Sequence, residues 1–416
     1  MRNKDINHKT PSILKSLLLL TGITLLVGCK ADFDVDQQIE YCHQQVKRTL
    51  TELAPIDYTV TPRNIGADEV HWNLRNAKTP EEWCSGFFPG ILWMCGEREA
   101  AEGYTRELEY LAYRPAYDHD LGFQMIGSYL KGWTYLEEQG GDAETQEHYR
   151  QVLFAAADTL ATLYNPKVGT LLSWPRNVGM FGGHNTIIDN MINLELLFWV
   201  DQQRNKENSD TNNSGRLRTI AINHADTTMK YHFRPDGSVN HVAVYDTLTG
   251  RHLRNCNHQG LDDNSLWSRG QAWAIYGYTM VYRYTQDPKY LDFVQKVTDM
   301  MLSQLPEDKI PYWDMRDPKI PNTYRDASAA AIIASALIEL AEYVPADKGT
   351  AYLDEAKAML TTLSSASYQS RDAKPSFLLH AVGNMPAGSE IDASINYADY
   401  YYIEALSRLR NYQNQH

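Results

Sequence analysis

From residue 36 to the C-terminus the chain repeats one pattern: helix-length stretches with apolar positions at helical spacing, broken by Gly-, Pro- and Asn-rich connections. Helices are predicted over 36–53, 83–93, 101–113, 121–138, 143–163, 186–200, 217–231, 266–285, 288–304, 327–343, 349–365 and 394–412. Residues 54–82 read as a Pro/Asn/Asp-rich loop, 201–215 as a polar connection, and 239–245 as a strand in a small hairpin turning at Leu248-Thr-Gly250. Stretches 186–200, 272–284 and 327–340 are apolar on most sides, whereas 143–163, 288–304 and 349–365 carry charge on one face. A flat bundle cannot bury so many amphipathic helices at once. A ring of helical hairpins can, with apolar helices inside and charged ones outside. The pattern therefore predicts an all-α toroid of one domain over 36–416, with the loops at one end converging on a central pocket.

The N-terminus reads differently. Arg2, Lys4, Lys9 and Lys15 precede an apolar run that ends in Leu26-Val-Gly-Cys29, the form of a lipoprotein signal. Cleavage before Cys29 and diacylglycerol on its thiol are expected, with 29–35 as tether and the chain anchored in the outer membrane of a Gram-negative bacterium, facing the periplasm or the cell surface. Contact with the membrane is then through the lipid alone. The chain carries −13, and loss of four basic residues and one acidic residue with the leader takes it to −16. Nucleic acid is a poor partner for such a surface, and an anionic ligand has to be short and gripped locally. Cys42, Cys84, Cys95 and Cys256 have neither zinc-site spacing nor a nucleophile motif; the sequence leaves open one disulfide among them, and the oligomeric state.

The densest chemistry lies in 258–280, where a polar, aromatic lead-in runs into an apolar helix. Asp263, Ser265, Trp267, Arg269, Gln271 and Trp273 offer carboxylate, hydroxyl, guanidinium, amide and two indoles within one segment. Indoles pack on the C–H face of a sugar, and a guanidinium forks a carboxylate. Carboxylates cluster at Asp118-His-Asp120, at Asp189 and at Asp262-Asp263, while Asp314 and Asp317 suit a loop rim and Asp326 a helix cap. Asp189 is placed inside its helix between Ile187, Ile188 and Met191, where burial should raise its pKa toward that of a general acid.

Trp83-Cys-Ser-Gly-Phe-Phe-Pro-Gly-Ile-Leu-Trp93, His119-Asp-Leu-Gly-Phe123, Ile188-Asp-Asn-Met-Ile-Asn-Leu194, His224-Ala-Asp-Thr-Thr228, Arg234-Pro-Asp-Gly-Ser238 leading to His241, and His258-Gln-Gly260 through Trp273 follow one another in order. With Arg325-Asp-Ala-Ser-Ala329 and Tyr397-Ala-Asp-Tyr-Tyr-Tyr402 they resemble the unsaturated glucuronyl hydrolases, glycoside hydrolase family 88. The resemblance implies an (α/α)6 barrel that removes a 4,5-unsaturated uronate from the non-reducing end of lyase-generated, glycosaminoglycan-type oligosaccharides. It carries the catalytic pair onto Asp189 and Asp120, and substrate binding onto His241, Gln259, Arg269 and Trp273, with Trp267 and Trp83 as pocket wall. Phe88 stands where the family often has a stacking Trp.

Such a substrate is a vinyl ether. Protonated Asp189 is expected to donate to C4, water to add at C5, and the hemiketal to open, while ionised Asp120 keeps the proton on Asp189 by like-charge coupling. Neither metal nor cofactor is required. The competing readings are an unsaturated rhamnogalacturonyl hydrolase acting on pectin fragments, a glycan-binding lipoprotein without catalysis, and a polysaccharide lyase, for which no base and acid set is evident.

Overall fold

The computed structural model describes residues 33–207 and 215–416. The leader, Cys29 and the start of the tether lie outside the described residues, as do 208–214 of the expected polar connection. Residues Asp34–His416 form one compact unit.

Fourteen helices are found among the described residues. They are α1 (Val35–Glu52), α2 (Phe87–Met94), α3 (Arg98–Arg106), α4 (Leu121–Met125), α5 (Lys131–Gln139), α6 (Ala143–Ala161) and α7 (Val178–Phe181). After them come α8 (Asn190–Glu207), α9 (Arg216–Tyr231), α10 (Ser268–Thr285), α11 (Pro288–Gln304), α12 (Ala327–Ala341), α13 (Ala346–Leu363) and α14 (Asn396–Gln415). A π-helical turn, Ile126–Leu130, joins α4 to α5, so the two act as one element. The inner ring runs α2, α4–α5, α8, α10, α12 and α14, each packed on the next, and α14 returns to α2. Outside it, α3 covers α2, α6 covers α4–α5, α9 covers α8, α11 covers α10, α13 covers α12 and α1 covers α14. This is an (α/α)6 barrel. All three stretches expected inside are inner helices, and the three charged stretches are outer ones.

Composition explains the sorting. Every residue of α12 is buried, with alanine at many positions so that α10, α13 and α14 approach closely, whereas α11 buries one stripe, Tyr290, Val294, Val297, Thr298 and Met301. Helix ends follow their signals. Asp142, Asp287 and Asp326 each accept a first-turn backbone N–H, and Gly140 ends α5 at φ 70°, a left-handed conformation that costs glycine little.

Strand is commoner than expected. Strands β1 (Val60–Ile65) and β2 (Asn73–Asn76) occupy the expected 54–82 loop and pair with each other, and β1 also pairs with β8 (Ser394–Ile395). A two-residue pair, β3 (Tyr164–Asn165) and β4 (Thr170–Leu171), follows α6. The third sheet, β5 (His184–Ile187), β6 (Val242–Tyr245) and β7 (His252–Cys256), contains the expected hairpin and adds a strand where a helix was expected from Thr186. Thr186 and Ile187 are β-branched, and pairing with β6 supplies the hydrogen bonds that a helical turn would have given. The helix starts only at Asn190 and runs through 201–207, so the connection after it is shorter than expected.

Candidate active site

The third sheet and the mouth of α4 bring the two candidate carboxyls together. Ile187 pairs with Val242, and Ile188 N–H donates to His241 O at 3.0 Å, which sets Asp189 beside His241 at the strand-to-helix junction. Asp189 is therefore not inside a helix, as expected, but just ahead of α8. Asp120 precedes α4. Asn193 Oδ1 accepts Phe123 N–H at 2.6 Å and Asn193 Nδ2 donates to Asp189 O at 3.4 Å, tying the two helix mouths together. A side chain on Gly122 would put its Cβ 2.3 Å from Asn193 Oδ1, so this approach needs glycine.

Asp120 and Asp189 are 8% and 7% exposed, yet they hold protons unequally. His119 Nδ1 lies 3.0 Å from Ser173 O, and a carbonyl only accepts, so the ring proton is on Nδ1. Burial lowers the His119 pKa and keeps the ring neutral. Its Nε2 lone pair then faces Asp120 Oδ1 at 3.3 Å and favours the protonated acid. At His241 the tautomer is opposite. Nδ1 accepts Gln259 N–H at 3.2 Å, which leaves the proton on Nε2, aimed at Asp189 Oδ2 at 3.5 Å. Titration follows the same division: burial and the charge of Asp189 push Asp120 up to about 8. At Asp189 burial also acts upward, but the hydrogen bond from His241 and the charge of Arg269 outweigh it and hold the carboxyl below its ordinary value. These directions, Asp120 raised and Asp189 lowered, run opposite to those expected from the sequence. A neighbouring charge, Asp118, is pushed up to about 6 by burial and Asp120, and its Oδ2 takes Arg176 at 2.7 Å.

The remaining expected residues divide into walls and supports. Trp267 lies against His241 at 4.6 Å between ring centroids, and buried Trp273 packs on Phe123 at 5.3 Å. Half-buried Trp83 meets Phe123 at 5.5 Å and Tyr397 at 5.1 Å. Gln259 donates its backbone N–H to His241, and its Oε1 accepts from Arg269 at 2.9 Å. Arg269, expected as a fork for a ligand carboxylate, is held by groups of the fold itself. It is buried, donates to Val382 O, to Gly383 O at 2.5 Å and to Gln259, faces Asp326 at 3.5 Å, and lies over Trp267. Phe88 is not a platform either: it is buried against Tyr104 of α3, on the outward side of α2. Gln271 fixes a turn, accepting Val239 N–H and donating to Gly237 O, and Asp263 accepts Asn257 N–H at the surface.

Two aromatic residues were passed over in sequence. Trp174, in the connection between β4 and β5, lies 6.2 Å from His119, 5.9 Å from His241 and 5.2 Å from His258 between ring centroids, so it spans the two histidines that set the pair. Tyr397 lies under Arg269 and Trp83. The Trp174-Pro-Arg176 stretch was the available signal, an indole beside a proline and a cation; its place is set by Asn185 of β5, which accepts Trp174 N–H at 2.9 Å and donates to Trp174 O at 3.1 Å, contacts that no local pattern shows. Cys42, Cys84, Cys95 and Cys256 are free and buried.

Paired buried carboxyls at the mouth of an (α/α)6 barrel, walled by indoles, define a glycoside hydrolase site. No protein-family model matches the chain. It is 39% identical over 413 residues to an unsaturated glucuronyl hydrolase of Formosa agariphila, covering 95% of this chain and 98% of that one. A crystal structure of an unsaturated glucuronyl hydrolase specific for heparin superposes with TM-score 0.80 at 36% identity, over 91% of this chain and 98% of the other. A mutant of the Streptococcus agalactiae unsaturated glucuronyl hydrolase complexed with dGlcA-GalNAc6S superposes with TM-score 0.71 at 28% identity, over 90% and 91%. The chain belongs to the unsaturated glucuronyl hydrolase family.

Proposed function

We propose that this enzyme removes a 4,5-unsaturated uronate from the non-reducing end of a lyase-generated glycosaminoglycan-type oligosaccharide by hydrating the vinyl ether double bond. The observation that carries the mechanism is a carboxyl pair sharing one proton, set by two histidines of opposite tautomer. Hydration places one proton on C4 and releases one from the water that adds at C5, so such a pair ends each turnover with the proton count it began with. Asp189 is the group at the double bond. The uronate carboxylate, seated beside it, is a second negative charge that draws the shared proton from Asp120 toward Asp189. Asp189 then donates to C4, its carboxylate takes the proton of the attacking water, and the C5 hemiketal opens with expulsion of the leaving sugar.

The sharing of dGlcA-GalNAc6S by a relative of this fold supports a glycosaminoglycan fragment as substrate. The test is ultraviolet loss of the conjugated double bond on an unsaturated disaccharide panel. Asp189→Asn should lower the rate by roughly 10²- to 10⁴-fold. An undiminished rate would remove Asp189 from the reaction.

The leader supports a second part of the proposal: export, lipid attachment at Cys29 and an outer-membrane location facing the periplasm or cell surface. Metabolic labelling with a fatty acid should mark the wild-type chain and not Cys29→Ala. Equal labelling of both would exclude that anchor.

A further inference from the structure

A third carboxyl stands beside the pair. One carboxylate oxygen of Asp118, one of Asp120 and one ring nitrogen of His119 lie within 4.8 Å of one another, and all three residues are buried. At that distance like charges are strongly coupled, so the ionisation of Asp118 bears directly on whether Asp120 keeps its proton. Asp118 Oδ1 accepts Asp120 N–H at 3.0 Å, which fixes the carboxylate to the backbone of the residue it acts on.

A distant part of the chain holds the charge on Asp118. Arg176, in the turn Pro175–Asn177, donates to Asp118 Oδ2 at 2.7 Å and lies over the Tyr117 ring at 4.6 Å. The same segment meets this loop a second time, where Ser173 O accepts His119 N–H at 3.2 Å and His119 Nδ1–H at 3.0 Å. Arg176 is exposed and reaches in from the solvent side to a carboxylate that is 4% exposed. With a guanidinium on one oxygen and a backbone N–H on the other, Asp118 is raised by burial and Asp120 only to about 6, so it is ionised near neutral pH.

The other groups that face Asp120 are Asp189 ahead of α8, Arg63 of β1, His119 on its own loop and the thiol of Cys84 ahead of α2. Arg63 is held by Glu82 and Glu390, and burial keeps both His119 and the Cys84 thiol neutral. Asp118 and Arg176 are therefore two charges next to Asp120 that a substitution can remove while leaving the carboxyl pair itself intact.

We infer that Asp118 and Arg176 are positioning residues for the hydration: Asp118 holds the proton on Asp120 by like-charge coupling, and Arg176 limits that coupling by neutralising part of the Asp118 charge. The two act in opposite directions. Without the Asp118 charge, Asp120 gives up its proton at lower pH; without Arg176, the last proton of the Asp118–Asp120 pair leaves at higher pH. This rests on the function proposed above, and the experiment separates the two. With the full chain, kcat/KM on an unsaturated disaccharide is followed against pH, and its alkaline limb reports the free enzyme. Asp118→Asn, which keeps an acceptor for Asp120 N–H, should move that limb down by roughly 0.5 to 1.5 pH units, and Arg176→Gln should move it up by roughly 0.3 to 1. Arg176→Lys, which restores the charge, should return it toward the wild-type position. A side chain that only packs would lower the rate at every pH and leave the limb in place. Limbs unmoved in both variants, or moved the same way, would overturn the inference. Where circular dichroism shows that Asn or Gln prevents folding, Asp118→Ser and Arg176→Met make the same charge changes. If the wild type turns over no unsaturated disaccharide, the proposed function fails instead, and the coupling is read by carbon-13 NMR of the aspartate carboxyls. The signal that Asp120→Asn removes should titrate at lower pH in Asp118→Asn and at higher pH in Arg176→Gln, and an unmoved titration overturns the inference.

Discussion

At the scale of single residues, the division of charge between Asp120 and Asp189 is written in backbone groups rather than in the carboxyls themselves. Ser173 O selects one ring tautomer and Gln259 N–H the other. The active protonation state, one proton on the pair, then exists between the depressed pKa of Asp189 and the value of about 8 at Asp120. A profile of kcat/KM against pH should therefore fall as the pH rises through about 8, and Asp120→Asn should lose that limb along with activity. Folding stability carries the same signature. The folded pKa of Asp120 is raised, so its protonated form contributes stability below the unfolded value of about 3.9 that is lost as the pH climbs to about 8. Asp399, pushed up to about 8 by burial, acts in the same direction. Above pH 7, where the buried histidines are neutral whether folded or unfolded, the wild-type melting temperature should decline toward pH 8, and Asp120→Asn should flatten that decline without removing it. A decline of equal slope in the variant would place the raised carboxyl elsewhere.

At the scale of elements, the helices were legible because an inner helix is apolar all round and an outer one only on a stripe, and both patterns are local. What was not legible came from partners far along the chain. Arg269 read as a ligand fork because a buried guanidinium needs partners, and those partners proved to be carbonyls of Val382 and Gly383, more than a hundred residues away. Phe88 sits in a motif whose order survives in sequence, but which side of α2 it occupies is settled by Tyr104. Asp189 was expected inside a helix and lies ahead of it, since β5 exists only by pairing with β6. Two substitutions test these joints. Gly122→Ala forces a Cβ into Asn193 and should cost about 1–3 kcal/mol while also parting Asp120 from Asp189, so denaturant midpoint and kcat should fall together. Asp326→Ala removes the cap of α12 and leaves Arg269 buried without its counter-charge, which should cost about 3–5 kcal/mol by urea unfolding. A loss no larger than that of an ordinary cap, about 1 kcal/mol, would show that the carbonyls alone satisfy Arg269.

At the scale of the whole molecule, the barrel is closed by its two ends. Inner helix α14 is the last element of the chain, and α1, the first described helix, covers it. Ile39, Cys42 and Val46 of α1 are buried, and Gln45 Nε2 donates to Ser370 Oγ at 2.8 Å, Lys374 O at 3.0 Å and Ser376 O at 2.7 Å, holding the loop that leads toward β8. In β8, Ser394 and Ile395 pair with Ile65 and Asn64 of β1, which leads back toward α2. A ring joined in this way has no free edge from which to unfold in stages, so stability is shared around it and one cooperative transition is expected. Removing residues 1–33 leaves every one of these contacts in place and should not move the melting temperature. Removing 1–53 uncovers α14 and frees the 370–376 loop; the melting temperature should drop and the single transition should broaden or split, with the calorimetric enthalpy no longer matching the van't Hoff value. Because α14 also carries Tyr397 beneath Arg269, the same truncation should abolish turnover even though it touches neither carboxyl. A truncated chain that melts once, at the wild-type temperature, would mean that the barrel closes through its inner helices alone.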